Sequence, residues 1–95
     1  MSVSLRGDLD YDTSDDVLQR VHSALHEQRD AKALRLDCAD LKMIDSMGLS
    51  TLLQLQRTAS RSGITFHLDN IGPALKQLLD MTGTYEYLTG GPDRT

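Results

Sequence analysis

Residues 34–56 read LRLDCADLKMIDSMGLSTLLQLQ, and this run changes its hydrophobic period partway along. Leu34, Leu36 and Cys38 alternate with polar residues, which is the period of a half-buried strand. After a connector over residues 39–44, apolar residues recur at the spacing of one helix face, at Gly48, Leu52, Leu55 and Ala59. The residues predicted to face solvent on this helix are Ser50, Thr51, Gln54, Arg57 and Arg61. A strand that leads through a connector into an amphipathic helix is a building unit of α/β domains.

The same two periods predict the elements on either side of this run. They are a strand over residues 2–7, a helix over residues 13–28, a strand over residues 64–69, a helix opened by Pro73 and stopped by Gly83, and a short element over residues 85–88. Thr13 and Asp16 have the spacing of a capping box at the start of the first helix. The resulting order is βαβαβα, in which right-handed crossovers keep neighbouring strands parallel.

We therefore predict a single α/β domain with a roughly four-stranded, mixed or mostly parallel sheet packed by three to four helices. Each strand has a polar side, which predicts that the helices pack on one face of the sheet. The 95 residues fit one domain, which we place at residues 1–88. Residues 89–95 contain Gly-Gly-Pro, and we predict a flexible C-terminal tail there.

The composition of the chain and the segments that it lacks argue against several functional classes. Ten basic residues stand against 14 acidic ones, and the basic residues form no stripe, which argues against direct binding of nucleic acid. No segment approaches the about 20 apolar residues that cross a bilayer. The N-terminal MSVSLRGD lacks the basic and apolar regions of a secretory signal, and the single cysteine, Cys38, cannot form an internal disulfide. These features predict a cytoplasmic protein that does not contact a membrane.

The candidate functional segment is Asp45-Ser46-Met47-Gly48-Leu49, where the connector meets the second helix. A serine at this place can cap the helix by accepting a hydrogen bond from a free N–H of the first turn. The same end of a helix favours negative charge, so the fold would tolerate a phosphate on Ser46. Capping alone and reversible phosphorylation are both consistent with these residues.

Several motifs, in the right order, resemble those of the STAS domain family, specifically the anti-sigma factor antagonists of bacteria. Residues 34–56 are similar to the family's apolar strand, short connector and Asp-Ser-x-Gly-Leu helix start. Residues 7–10, Gly-Asp-Leu-Asp, resemble its Gly-Glu-Leu-Asp turn, and residues 68–83 resemble its Asn-x-x-Pro helix with a closing Thr-Gly. Two features depart from the pattern. Only residues 1–6 precede the turn, where the family has an additional strand, and Met47 stands where a small Ser or Thr is more usual.

The resemblance implies a partner switch. An anti-sigma factor that is also a serine kinase would phosphorylate Ser46, with Asp45 as its neighbour in the motif and Met47, Gly48 and Leu49 bordering the contact surface. The unmodified form would bind the anti-sigma factor and free the sigma factor, and a PP2C-type phosphatase would reverse the phosphorylation. The resemblance implies no catalysis and no cofactor for this chain, and it is compatible with a homodimer.

Other functions compete with this one. A STAS module could bind a small ligand, such as a nucleotide or a lipid, or serve as a scaffold subunit; a ligand would require a pocket near the second helix and would make function insensitive to charge at Ser46. A hydrolase with Ser46 as nucleophile is disfavoured, because Gly-x-Ser-x-Gly and a Gly-rich oxyanion loop are absent from the sequence. His22 and His26 lie one helical turn apart but have no evident third ligand, so we predict no metal site.

Overall fold

The structure, a computed structural model, describes residues 1–89. Its elements, in chain order, are β1 (Ser2–Leu9), α1 (Ser14–Glu27), β2 (Ala33–Ile44), α2 (Ser46–Arg61), β3 (Thr65–Asp69), α3 (Pro73–Thr82) and α4 (Tyr85–Thr89). Gly83 ends α3 with a left-handed φ of 71°, as the sequence predicted. Apart from Thr89, which belongs to α4, the predicted tail falls on residues 90–95, which lie outside the described residues.

The strands form one parallel sheet in the order β1-β2-β3. Val3, Leu36 and Leu68 are neighbours in the register, and their side of the sheet faces the core, which all four helices help to form. Arg35 and His67 are neighbours on the opposite side, where Arg35 is exposed and His67 half-buried. The helices therefore pack on a single face of the sheet, as the alternation predicted.

The α/β class and the parallel pairing agree with the prediction, but within residues 1–89 the sheet has three strands rather than about four. Residues 2–9 all belong to β1, the strand that leads into the turn before α1. Within the described residues, only Met1 precedes it.

β2 is 12 residues long and includes the segment 39–44, so the prediction of a connector there is wrong. The register between β1 and β2 shifts at two places, and at each of them β2 has one residue more than β1, as in a β-bulge. An extra residue reverses the phase of the alternation, and the period of two is therefore lost after Cys38 although the strand continues to Ile44. β1 also extends beyond its predicted end, to Leu9, because its last residues pair with the end of β2.

The capping box predicted at the start of α1 does not form. Thr13 is the N-cap residue, but its side chain makes no capping hydrogen bond. Its hydroxyl instead donates to the carbonyl oxygen of Asp8 at 2.9 Å and accepts from the N–H of Asp10 at 3.0 Å. The Ser14 hydroxyl donates to the carbonyl oxygen of Asp10 at 2.6 Å. These bonds close the turn between β1 and α1, so the Thr13 side chain is not available to the helix.

α2 packs across the buried face of the sheet and beside α1. The residues predicted to face inward are all buried, namely Gly48, Leu52, Leu55 and Ala59. Thr51 was predicted to face solvent but is only 3% exposed. Its hydroxyl donates to the carbonyl oxygen of Met47 at 3.0 Å, and this bond within the helix satisfies the polar atom and allows the side chain to be buried.

Candidate functional site

Asp45, rather than Ser46, is the N-cap of α2. Its backbone is extended, with φ −115° and ψ −171°, and its carboxylate accepts a 2.9 Å hydrogen bond from the N–H of Gly48. The N–H of Asp45 donates to the carbonyl oxygen of Leu9 at 3.3 Å, which joins the start of the helix to the end of β1. Capping by Ser46, one of the two roles that the sequence left open, does not occur: the carboxylate takes that role, and Ser46 occupies the first helical position.

Gly48 lies where α2 comes closest to the strands. A β-carbon added at this position would overlap the carbonyl oxygen of Leu9 and would lie 2.8 Å from Cγ1 of Ile44. The Leu9 carbonyl belongs to the backbone of a paired strand, so it cannot move away without disturbing the sheet. Glycine is therefore required here because of space.

Ser46 is exposed, and its hydroxyl makes no hydrogen bond within residues 1–89. The N–H groups of Gly48 and Leu49 are bonded to Asp45, whereas those of Ser46 and Met47 belong to the helix start that has no acceptor inside the helix. The start of α2 therefore presents an unbonded hydroxyl beside two backbone N–H groups that have no acceptor inside the helix.

The junction surface, as we call it, consists of the exposed residues Met43, Asp45, Ser46 and Met47. The side chains of Met43 and Met47 are 65% and 44% exposed, so both present apolar area to solvent. Methionine is flexible and polarisable, and it adapts well to the surface of a protein partner. Gly48 and Leu49 lie buried behind this surface, where they position the helix.

A cavity of about 110 Å³ opens beside the junction surface. It is lined by Asp8, Leu9, Asp10, Met43, Ile44 and Asp45, of which three are carboxylic acids and none is basic. Asp8, Asp10 and Met43 were not among the residues predicted for the site. The predicted parallel pairing of β1 and β2 could have identified them, because the carboxyl ends of adjacent parallel strands meet at one edge of a sheet.

Cys38 and the two helix-borne histidines lie apart from this site. Burial raises the pKa of the Cys38 thiol to about 11, so the thiol stays protonated at neutral pH and is a poor nucleophile. His22 and His26 are exposed, and within residues 1–89 no three His, Cys, Asp or Glu residues are placed to hold a metal ion. In the same described range, no helix is both long and apolar enough to cross a membrane.

Replacing Asp45 by alanine is expected to lower the free energy of unfolding by about 1 kcal/mol, because the N–H of Gly48 loses its acceptor. Asp45→Asn keeps a side-chain oxygen at the same place and loses only the charge that the helix dipole favours, so it should cost only about 0.3 kcal/mol. Chemical denaturation of both variants measures the difference. Equal losses would mean that the capping hydrogen bond is not what the Asp45 carboxylate contributes to stability.

The fold and the site define a small α/β domain whose helices cover one face of a parallel sheet and whose exposed site is the start of a helix at the carboxyl edge of that sheet. A family model described as "Mlab, STAS domain" matches residues 1–89. The chain belongs to the STAS domain family.

The chain is similar to one curated protein in sequence and to two solved structures in fold. A protein of Paenibacillus polymyxa named anti-sigma F factor antagonist is 29% identical over 86 residues, which cover 90% of this chain and 73% of that one. The crystal structure of a sulfate transporter family protein from Wolinella succinogenes matches with a TM-score of 0.74 at 21% identity, over 94% of this chain and 70% of that one. The anti-sigma factor antagonist SpoIIAA in its unphosphorylated form matches with a TM-score of 0.66 at 19% identity, over 86% of this chain and 70% of that one. The two structural matches establish the fold.

Proposed function

We propose that this chain is an anti-sigma factor antagonist that binds an anti-sigma factor with serine kinase activity and is switched off by phosphorylation at Ser46. The observation that carries the proposal is the Ser46 hydroxyl, which is exposed, makes no hydrogen bond within residues 1–89 and stands at the first position of α2. The similarity to the Paenibacillus polymyxa protein supports the choice of partner. In this role the chain regulates transcription without contacting nucleic acid.

The junction surface supports docking of the unmodified form. Met43 and Met47 offer apolar area to a partner, and the carboxylates of Asp8, Asp10 and Asp45 lie beside them. The complementary surface on the anti-sigma factor is therefore an apolar depression with basic groups at its rim. Ser46 lies inside this contact, where an uncharged hydroxyl is easily accepted.

Phosphorylation would change the contact without unfolding the domain. The phosphate adds a charge of about −1.5 to −2 at pH 7. Within the domain, the free N–H groups of Ser46 and Met47 and the helix dipole favour that charge, whereas the neighbouring Asp45 carboxylate repels it, which keeps the modification reversible. Within the interface, the phosphate is bulky and strongly hydrated, and it would have to lose water to enter the apolar depression. The partner is released while the fold is kept.

In this switch, other proteins catalyse the phosphorylation and the dephosphorylation. The anti-sigma factor supplies the kinase activity, a PP2C-type phosphatase restores the free hydroxyl, and this chain is the substrate of both rather than an enzyme. The chain therefore acts in the cytoplasm, where its partners are.

Incubation of the full chain with ATP and an anti-sigma factor kinase from the same organism, followed by peptide mass spectrometry, is expected to place a single phosphate on Ser46. Ser46→Ala should remain unmodified, whereas Ser50→Ala, which removes another exposed serine of α2, should be modified like the wild type. A phosphate on a different residue, or none with any such kinase, would contradict the switch and favour a STAS module that is not phosphorylated.

A further inference from the structure

A second cavity lies between α1 and α2, away from the junction surface. Its volume is about 310 Å³, and it is lined by Leu18, His22, Gln54, Arg57, Thr58 and Arg61. We call it the interhelix cleft. This volume falls at the lower end of the range of small-molecule sites, about 300 to 1,000 Å³, and the cleft is open to solvent, because four of its six lining residues are exposed.

The charge of the interhelix cleft is of one sign. Arg57 and Arg61 are one helical turn apart on the same side of α2, His22 faces them from α1, and no carboxylate lines the cleft. Neither arginine forms an ion pair within residues 1–89. The whole chain has 14 acidic and 10 basic residues, so this concentration of basic side chains does not follow from the composition.

The stability of α2 does not explain both arginines. Arg61 lies in the last turn, where a positive charge is favourable because it faces the negative end of the helix dipole. Arg57 lies one turn earlier, and a like charge four residues away costs about 0.2 to 0.5 kcal/mol in a helix. An anion in the cleft would pair both Arg57 and Arg61.

We propose that the interhelix cleft binds the phosphoryl group of a small phosphorylated ligand. Guanidinium groups bind phosphate oxygens in a bidentate manner, and two of them can hold a dianion. The Gln54 amide and the Thr58 hydroxyl make no hydrogen bond within residues 1–89 and supply further donors. Leu18 gives the cleft an apolar wall for the remainder of the ligand.

The site is separate from the proposed phosphorylation site. Arg57 lies 11 residues after Ser46 on the same helix, which corresponds to about 16 Å along its axis. Binding in the interhelix cleft therefore requires neither the Ser46 hydroxyl nor the junction surface, and the inference does not depend on the proposed function.

Titration of the full chain with inorganic pyrophosphate, followed by calorimetry and by backbone amide chemical shifts, tests the site. The expected result is saturable binding with the largest shifts at the residues that line the cleft. The double variant Arg57→Gln/Arg61→Gln should bind at least tenfold more weakly. Arg6→Gln/Lys32→Gln removes the same charge from exposed positions outside the cleft and should bind like the wild type. Ser46→Asp should also leave the affinity unchanged.

A second arm distinguishes a free ligand from a lipid headgroup. Vesicles that contain phosphatidic acid are tested in sedimentation against the same variants. If the chain binds pyrophosphate but not the vesicles, and Arg57→Gln/Arg61→Gln loses this binding, the ligand is a soluble phosphorylated molecule. If the chain binds the vesicles and the same variant loses this binding, the ligand is a lipid headgroup. No binding of either probe, or binding that the double variant retains while its thermal unfolding matches the wild type, would overturn the proposal.

Discussion

Gly48→Ala is expected to lower the free energy of unfolding by about 2 to 3 kcal/mol, although alanine is the better helix former by about 1 kcal/mol. The added β-carbon would overlap the carbonyl oxygen of Leu9 and press on Ile44. The start of α2 would have to shift away from β1, and the hydrogen bond from the N–H of Asp45 to Leu9 would be lost with it. For a domain of this size the expected fall in Tm is about 10 to 20 °C.

Ser50→Ala provides the matched control, since Ser50 is exposed two residues further along the same helix. It should unfold like the wild type or slightly later, because alanine is favoured in a helix. Differential scanning calorimetry of the wild type, Gly48→Ala and Ser50→Ala measures the differences in Tm. If Gly48→Ala were as stable as the wild type, the close approach of α2 to Leu9 would not be a feature of the folded protein.

Ser46→Asp is expected to weaken binding to the anti-sigma factor by about 100-fold, which corresponds to about 2.7 kcal/mol. The aspartate places a permanent charge beside Met47 at the centre of the proposed contact, where the partner offers apolar surface. Ser46→Ala removes only the hydroxyl and should keep the affinity of the unmodified chain. Calorimetric titration of each variant with the purified anti-sigma factor measures the difference.

Two controls separate the effect of Ser46→Asp on binding from a loss of stability and from the effect of an added charge elsewhere on α2. Ser46→Asp should unfold like the wild type, because the first turn of a helix favours a negative charge. Ser60→Asp carries the same new charge on an exposed residue of α2, about 20 Å along the axis from Ser46, and should bind normally. Equal affinities of Ser46→Asp and Ser46→Ala would mean that charge at this residue does not control the partner.

The Asp45-Ser46-Met47-Gly48 segment thus combines two kinds of residue. Asp45 and Gly48 hold the helix against β1, the first through its cap and its N–H, the second through its lack of a side chain. Ser46 and Met47 lie between them and are exposed. The two structural residues fix where the two exposed residues are presented, and we expect substitutions of the former to act through stability and of the latter through binding.

Much of the fold followed from local patterns. The alternation at Leu34, Leu36 and Cys38 correctly indicated a strand, and the helical spacing after residue 46 correctly indicated the buried side of α2. Gly83 ended α3 as predicted. These features depend on side chains a few residues apart on one element, so their periods can be read directly from the chain.

The errors arose where strand pairing or a side-chain hydrogen bond, rather than the hydrophobic period, decided the outcome. The second half of β2 was missed because its alternation is shifted by bulges that exist only opposite β1. Thr13 was expected to cap α1, but its hydroxyl is engaged by Asp8 and Asp10. Thr51 was expected to be exposed, although the bond to the Met47 carbonyl allows its burial. In each case a contact outside the local pattern outweighed the local preference.

The residues alone were sufficient for the order βαβαβα, the parallel sheet with one polar face and the position of Ser46 at the start of a helix, because each rests on short-range periodicity. Tertiary structure alone decided that Gly48 admits no side chain and that the N–H of Asp45 is bonded to β1, since both depend on the carbonyl oxygen of Leu9, which lies 36 and more residues earlier in the chain. It also decided that Arg57 faces His22 across the interhelix cleft. Contacts between residues this far apart in sequence form only when the strands pair and the helices pack. They therefore cannot be predicted from the hydrophobic period of a single element.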